Sequence, residues 1–251
     1  MSGRIVLILV VMVFRLLASV AGAEPPGGEE KIPPSSRSED GPGFLSLFDG
    51  KSLAGWKAAD GSWWSVEDGA ITGKITAEKP CRKNQYLFSQ VGPMQDFELK
   101  LSHRILSPHN VNSGFQYRSA HYQGDDCKGY QIDNNLPDMI RMYDEFGRHT
   151  LAHRGERTVF DAAGKKTTTE IPEAKGKPWY DLRQWHEYRL VCRGPKMTLY
   201  VNGRLLGEVI DHDPKEHDLS GLLALQLHSG PPMTVQFKDI RYKPLTDDKA
   251  D

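Results

Sequence analysis

The chain has 251 residues, with 32 Lys and Arg against 33 Asp and Glu, and a formal net charge of −1. That balance creates no global field to attract nucleic acid or an anionic membrane, so neither is expected as a partner. Apolar residues make up 38%, few for a helical bundle and ordinary for a sandwich with one wet face.

The first element is not part of the fold. Arg4 precedes an unbroken apolar run from Ile5 to Phe14, and Ala21-Gly22-Ala23 supplies a small-x-small cleavage site before Glu24. This is the layout of a signal peptide over residues 1–23, too short for a membrane span and interrupted by Arg15. Export to the periplasm or the cell exterior is expected, with nothing left in the membrane after cleavage. Residues 24–42 are rich in Pro, Gly, Ser and charge and read as a disordered tether, because they bury too little surface to offset ordering entropy. One domain is expected over residues 43–245, followed by a short tail at 246–251.

Within that domain the dominant period is two. Trp64 and Val66 alternate first, and Phe97 to Ile105 alternates apolar and polar along a whole strand. Gly114 to Arg118, Tyr130 to Asp133 and Ile140 to Glu145 repeat the pattern. Ala162 to Lys177 shows no alternation and reads as a loop, within a long segment, Arg148 to Asp181, expected to line one end of a cleft. Trp185 to Val191 and Met197 to Val201 form a hairpin around Arg193-Gly194-Pro195, and Asn202-Gly203 turns the chain into Arg204 to Ile210. Asp213 to Leu219 has room for one helical turn. Leu223 to His228 and Val235 to Ile240 close the set. About ten strands with short turns predict an all-β sandwich.

Of the three cysteines, Cys192 lies in an apolar strand pattern and reads as a small buried hydrophobe, whereas Cys81 and Cys127 lie in loop-like sequence. In an oxidising compartment these two are the expected disulfide pair. No two cysteines have metal-ligand spacing. His103 has core parity and reads as a buried histidine, while His109, His121, His149, His153, His212 and His217 fall in polar segments. Neither a G-x-S-x-G elbow nor a phosphate-binding glycine loop is present.

Parity separates two faces. Phe97, Leu99, Leu101, Phe115, Tyr117, Ile132, Ile140, Met142, Leu223, Leu225 and Leu227 belong together inside. The opposite parity presents Arg104, Gln116, Arg118, Gln131, Asp133, Arg141, Tyr143, Glu145, Gln226 and His228. Any antiparallel sandwich has a polar outer face, but this one carries planar, directional hydrogen-bond groups beside an aromatic, the combination that holds sugars. Asn112-Ser113-Gly114 adds a glycine at a strand start, where a ligand or backbone can approach closely.

In order along the chain, Phe48-Asp49-Gly50-Lys51-Ser52-Leu53-Ala54-Gly55-Trp56, Trp64-Ser65-Val66-Glu67-Asp68-Gly69, Asn112-Ser113-Gly114 with Arg118, Gly129-Tyr130-Gln131-Ile132-Asp133, Asn202-Gly203, Leu225-Gln226-Leu227-His228 and Phe237-Lys238-Asp239-Ile240 resemble the 3-keto-disaccharide hydrolase domain family. The resemblance covers about residues 44–245. It implies a concanavalin A-like or laminarinase-like jelly-roll sandwich of two antiparallel sheets, acting on glycosides of 3-keto sugars by removal of the C2 proton, β-elimination and hydration. Under that reading His228 is the candidate base, Glu145 or Tyr143 the proton donor, and Arg118 and Arg104 stabilise the enolate. Asn112, Gln116, Gln131, Asp133 and Gln226 would hold sugar hydroxyls. A divalent cation would serve the enolate, with Asp133, Glu145 and His228 as candidate ligands. The same face on a non-catalytic carbohydrate-binding, lectin-like module is the competing expectation. An enzyme needs a titratable base in the cleft, and a binding module does not.

Overall fold

The computed structural model describes residues 42–246; the expected signal peptide, nearly all of the tether and the end of the tail lie outside the described residues. In chain order the strands are β1 (Leu45–Ser46), β2 (Trp56–Lys57), β3 (Trp64–Glu67), β4 (Ala70–Ile75), β5 (Gln85–Ser89), β6 (Phe97–Leu106), β7 (Asn112–Tyr122), β8 (Asp126–Asn135) and β9 (Met139–Glu145). They continue with β10 (His149–His153), β11 (Glu156–Phe160), β12 (Lys166–Glu170), β13 (His186–Arg193), β14 (Lys196–Val201), β15 (Arg204–Asp211), β16 (Leu222–Leu227) and β17 (Met233–Pro244). The only helices among the described residues are two single 3-10 turns, Gly61–Trp63 and Pro172–Ala174.

Two sheets form. The larger runs β12-β11-β15-β14-β13-β6-β17-β4-β3 with β1 on β17, and the smaller runs β10-β9-β8-β7-β16-β5-β2. β1 pairs Leu45 with Tyr242 of β17, so the two ends of the domain lie side by side. All pairings are antiparallel except β11 with β15, which is parallel. This corrects the expectation of purely antiparallel sheets.

The predicted core is the observed one. Phe97, Leu99, Leu101 and Leu190 from the large sheet face Phe115, Ile132, Met142 and Leu225 from the small one, all at 1% exposure or less. His103 lies in this layer, stacked on Phe237 at 4.3 Å and bonded to Ser113 Oγ at 3.2 Å. Burial pushes its pKa down to about 3, so it is a neutral core residue. The tight turn read from sequence at Asn202-Gly203 is present, and the structure adds a second at Asp68-Gly69. Asp68-Gly69 and Asn202-Gly203 each have φ > 0 at both positions, the twist that suits a two-residue turn.

Three expectations are corrected. Cys81, Cys127 and Cys192 are all free and buried, and the Cys81 to Cys127 pair is not formed. Ala162 to Lys177 contains β12, whose five residues are all exposed, so an edge strand with both faces wet leaves no alternation to read. At Asp213 the chain makes a hydrogen-bonded turn, His217 N to Asp213 O at 3.0 Å, without forming a helix.

Candidate functional site

The outer face of the small sheet is polar and organised in rows. Register sets Tyr143 opposite Gln131, Gln131 opposite Gln116, Gln116 opposite Ala224 and Ala224 opposite Phe88. The next row is Arg141, Asp133, Gly114, Gln226 and Tyr86. One step further Asn135 pairs with Asn112, and His228 and Asn84 extend the same row just past the ends of β16 and β5. At the opposite end Glu145 pairs with Gly129.

The two central rows are tied by side-chain amides. Gln116 Nε2 donates to Gln131 Oε1 at 3.1 Å, Gln131 Nε2 to Gln226 Oε1 at 2.9 Å, and Gln226 Nε2 to the Tyr86 hydroxyl at 3.2 Å. All four side chains are buried. The chain passes over Gly114, where an added Cβ would lie 2.1 Å from Ile132 O and 3.0 Å from Gln131 Nε2. Only glycine fits there. Asp133 accepts from Asn112 Nδ2 at 2.6 Å, Asn135 Nδ2 at 3.2 Å and Arg141 Nε at 2.5 Å. Its carboxylate is thereby saturated, and it aims Arg141 across the Tyr143 ring at 4.6 Å. Asn112 Oδ1 is buried with no partner, an acceptor that a ligand hydroxyl would satisfy.

Part of this face is roofed by the chain itself. At Arg118 the backbone turns to φ 46° and the β7–β8 register shifts, so the hairpin tip leaves the sheet plane. Gly221 backs the bend, with no room for a Cβ against the Arg118 carbonyl carbon at 2.3 Å. Beyond the bend Cys127 packs with Tyr86, Phe88 and Ala224, and the His121 ring lies tilted against Phe88, with centroids 4.0 Å apart. The tip therefore lies over β16 and β5. A depression of about 480 Å³ separates it from the start of β5, between Lys83, Asn84 and Gln85 on one side and Gln123 to Asp126 on the other.

Among the described residues Glu145 has no hydrogen-bond or ion-pair partner on this face. It is half-buried, and burial with the nearby Asp126 and Asp133 raises its pKa to about 7. Two residues along, the Tyr143 hydroxyl bonds His149 Nδ1 at 2.9 Å, and burial pushes the phenol up. His228 donates from Nδ1 to the Ser229 carbonyl at 2.6 Å.

Two predicted residues are elsewhere. Arg104 is on β6 of the large sheet, bonded to Gln236 Oε1 at 2.8 Å and stacked over Trp185 at 4.5 Å; its outward parity holds, but on the wrong sheet. Arg118 follows the kink inward. Its guanidinium donates to Gln95 O, Gly194 O and Asp96 Oδ1 and braces the bend against the β13–β14 turn. The candidate cation ligands also do not converge, since Asp133 is spent on Arg141 and Glu145 and His228 sit at opposite ends of the face. Among the described residues no three His, Cys, Asp or Glu side chains form a ligand set. Sequence reasoning missed Tyr86, in a strand whose two sides are both apolar enough to read as core, Asn84 just ahead of that strand, and His149, one of the histidines of the polar segments.

The model of the 3-keto-alpha-glucoside-1,2-lyase-like domain matches residues 43–243, from just before β1 to the end of β17. The chain belongs to that family. A search of curated proteins returned no match. Among solved structures, this lyase-like domain is similar to a protein of Parabacteroides distasonis provisionally described as a glycosyl hydrolase, at TM-score 0.55 and 21% identity over 81% of this chain and 94% of the other. A Bacillus subtilis protein with a galectin-like fold matches at TM-score 0.53 and 9% identity, over 76% and 90%. The carbohydrate-binding module CBM66 of Bacillus subtilis matches at TM-score 0.50 and 15% identity, over 75% and 95%. At these identities the likeness shows the fold, a jelly-roll sandwich of the concanavalin type. Family and fold together make the lyase-like domain a carbohydrate-active protein.

Proposed function

We propose that the chain cleaves glycosides of 3-keto sugars, with Glu145 as the base. A keto group at C3 acidifies the C2 hydrogen. Glu145 takes that proton, and the electron pair passes to the C3 oxygen as an enolate. The second N–H groups of Gln116 and Gln131 stabilise the charge there. As the carbonyl re-forms, a C1–C2 double bond develops and the C1–O bond breaks. The departing oxygen takes a proton from Tyr143, which His149 resupplies. Water then adds its hydroxyl at C1 and its proton at C2, so the net change is hydrolysis. His228 and Asn112 hold sugar hydroxyls at the far end of the face.

The observation that carries this reading is a half-buried carboxylate, without a partner among the described residues, on the same face as the amide chain. A pKa near 7 suits a base that works at neutral pH. His228, the base expected from sequence, sits just past the end of β16, three side-chain rows from Glu145. The test is product analysis with 3-keto-trehalose and 3-keto-sucrose. Release of 3-keto-glucose should occur with the parent protein and vanish in Glu145→Gln.

Likeness in fold to a carbohydrate-binding module favours a second reading, in which the same face binds sugars without turning them over. Saturable binding without product would select it. Export is part of the proposal and rests on the layout of residues 1–23; N-terminal sequencing of secreted protein should then begin at Glu24.

A further inference from the structure

Arg104 has no part in the chemistry above, and the pairing of charges on the large sheet sets it apart. Lys74, Arg157, Arg189 and Lys196 of that sheet each hold a carboxylate at 2.6 to 2.8 Å. Among the described residues Arg104 has no ion-pair partner. Its Nε donates to Gln236 Oε1 at 2.8 Å, and its two terminal nitrogens are left without an acceptor. Register explains why. Gln236 lies opposite Arg104 on one side and Thr72 on the other, Thr72 lies opposite Ser65, and Trp185 continues the pairing of His186 with His103 to flank Arg104. That row of five side chains contains no acid.

The guanidinium is also fixed in place. Gln236 is buried and donates in turn to the buried Thr72 hydroxyl at 3.1 Å. The Trp185 ring lies 4.5 Å from the Arg104 guanidinium and 4.7 Å from Lys238 Nζ, so the two cations sit within about one Debye length of each other. The acids nearby do little to neutralise them. Asp239 is 3.9 Å from Lys238 in an exposed position where solvent screens the pair. Glu187, across Ser102 from Lys238, is engaged by Arg241 at 3.5 Å. Arg104, Trp185 and Lys238 are all half-buried, so their outer atoms reach water. A pre-oriented guanidinium with both terminal nitrogens open, beside a second cation, suits a carboxylate or sulfate group, whose paired oxygens match the fork.

We propose that Arg104 and Lys238 form a docking point for an anionic sugar chain, one that bears carboxylate or sulfate groups, on the sheet opposite the amide-lined face. A chain is required because one small ion on an open surface gains little over water, whereas repeated charges on one polymer rebind at high local concentration. The carbohydrate-active family supplies the class of polymer, and the unpaired guanidinium supplies the kind of sugar. The inference goes beyond the glycoside-cleaving reading: a chain held here tethers the protein and leaves the small sheet's face open.

The test is calorimetric titration of the full mature protein with a galacturonate hexamer and with a sulfated galactan oligomer of equal charge. A neutral glucan hexamer and a glutamate hexapeptide serve as comparisons. At least one acidic sugar should bind, and which one does identifies the anion. The neutral glucan and the peptide should bind at least tenfold more weakly. Arg104→Gln and Lys238→Gln should each raise the Kd for the acidic sugar tenfold or more. Lys196→Gln, which removes a cation already paired on the same sheet, should change it by no more than twofold. Thermal unfolding checks that each variant is folded at the titration temperature, and Lys238→Gln keeps the test decisive if Arg104→Gln is not. Failure of both acidic sugars to bind, or an equal loss in Lys196→Gln, overturns the docking point. Equal affinity for the glutamate peptide overturns the assignment to sugar in favour of an acidic protein. The readout is binding alone, so it stands apart from whether the protein turns over 3-keto-glycosides.

Discussion

Gln131 donates its side-chain amide to Gln226 at 2.9 Å, across the backbone of Gly114 and between strands whose residues are 95 positions apart. The contact links β8 to β16 over the top of β7 and fixes the floor of the site. Gln131→Ala removes the middle of the chain and takes the Gln131 partner from the buried Gln116 Nε2 and Gln226 Oε1. Loss of about 1–3 kcal/mol in urea unfolding is expected, with KM rising more than kcat falls.

Gly114→Ala tests the same floor from below. Its new methyl would lie 2.1 Å from the Ile132 carbonyl oxygen, a backbone atom that cannot swing aside. Strand β7 must shift, at a cost of roughly 2 kcal/mol or more. Thermal unfolding should show the loss, and sugar binding should weaken with it.

Glu145 makes two opposite pH signatures. As the base it must be ionised, so kcat/KM should rise with pH and level off above about 7. Stability runs the other way. Its folded pKa lies above the unfolded value of 4.5, so its stabilising contribution is complete below 4.5 and is lost as pH rises through about 7. Glu145→Gln should therefore be inactive yet more stable than the parent at pH 8, by on the order of 1–3 kcal/mol, and similar to it at pH 4. Denaturant titrations at the two pH values check the sign.

Arg118→Ala should unfold the domain more easily without a specific effect on chemistry. Deleting the guanidinium strands Asp96 and two backbone carbonyls near the bend, a loss of roughly 3–5 kcal/mol for a buried charged group. Protein that remains folded at low temperature should keep its pH profile unchanged. A shifted profile would return Arg118 to the site.

The alternation of apolar and polar residues made the sandwich and its core legible, because period two leaves each strand only two ways to face. It also set Gln116, Gln131, Asp133, Tyr143, Glu145 and Gln226 outward, and register then put them on one sheet. Parity is silent about which of two sheets a strand joins, and Arg104 was misplaced for that reason. It also fails at a bulge, where one shifted residue turns Arg118 inward. Tyr86 escaped notice because Tyr86 and Phe88 are as apolar as Leu87 between them, so the two sides of β5 cannot be told apart. His149 sits at φ 63° at the start of β10, and only the fold brings it to Tyr143.

The kink at Arg118 makes floor and roof two lengths of the same pair of strands. Residues before it carry the amides, and residues after it, out to the tip at Gln123 and Gly124, carry the wall of the depression beside β5. Lengthening, shortening or recolouring that tip changes what fits above the floor while leaving the floor's register untouched. Ligand preference can thus drift at the hairpin by insertion and deletion, independently of the reaction, and relatives that share Gly114 and the glutamines are expected to differ most between residues 121 and 127.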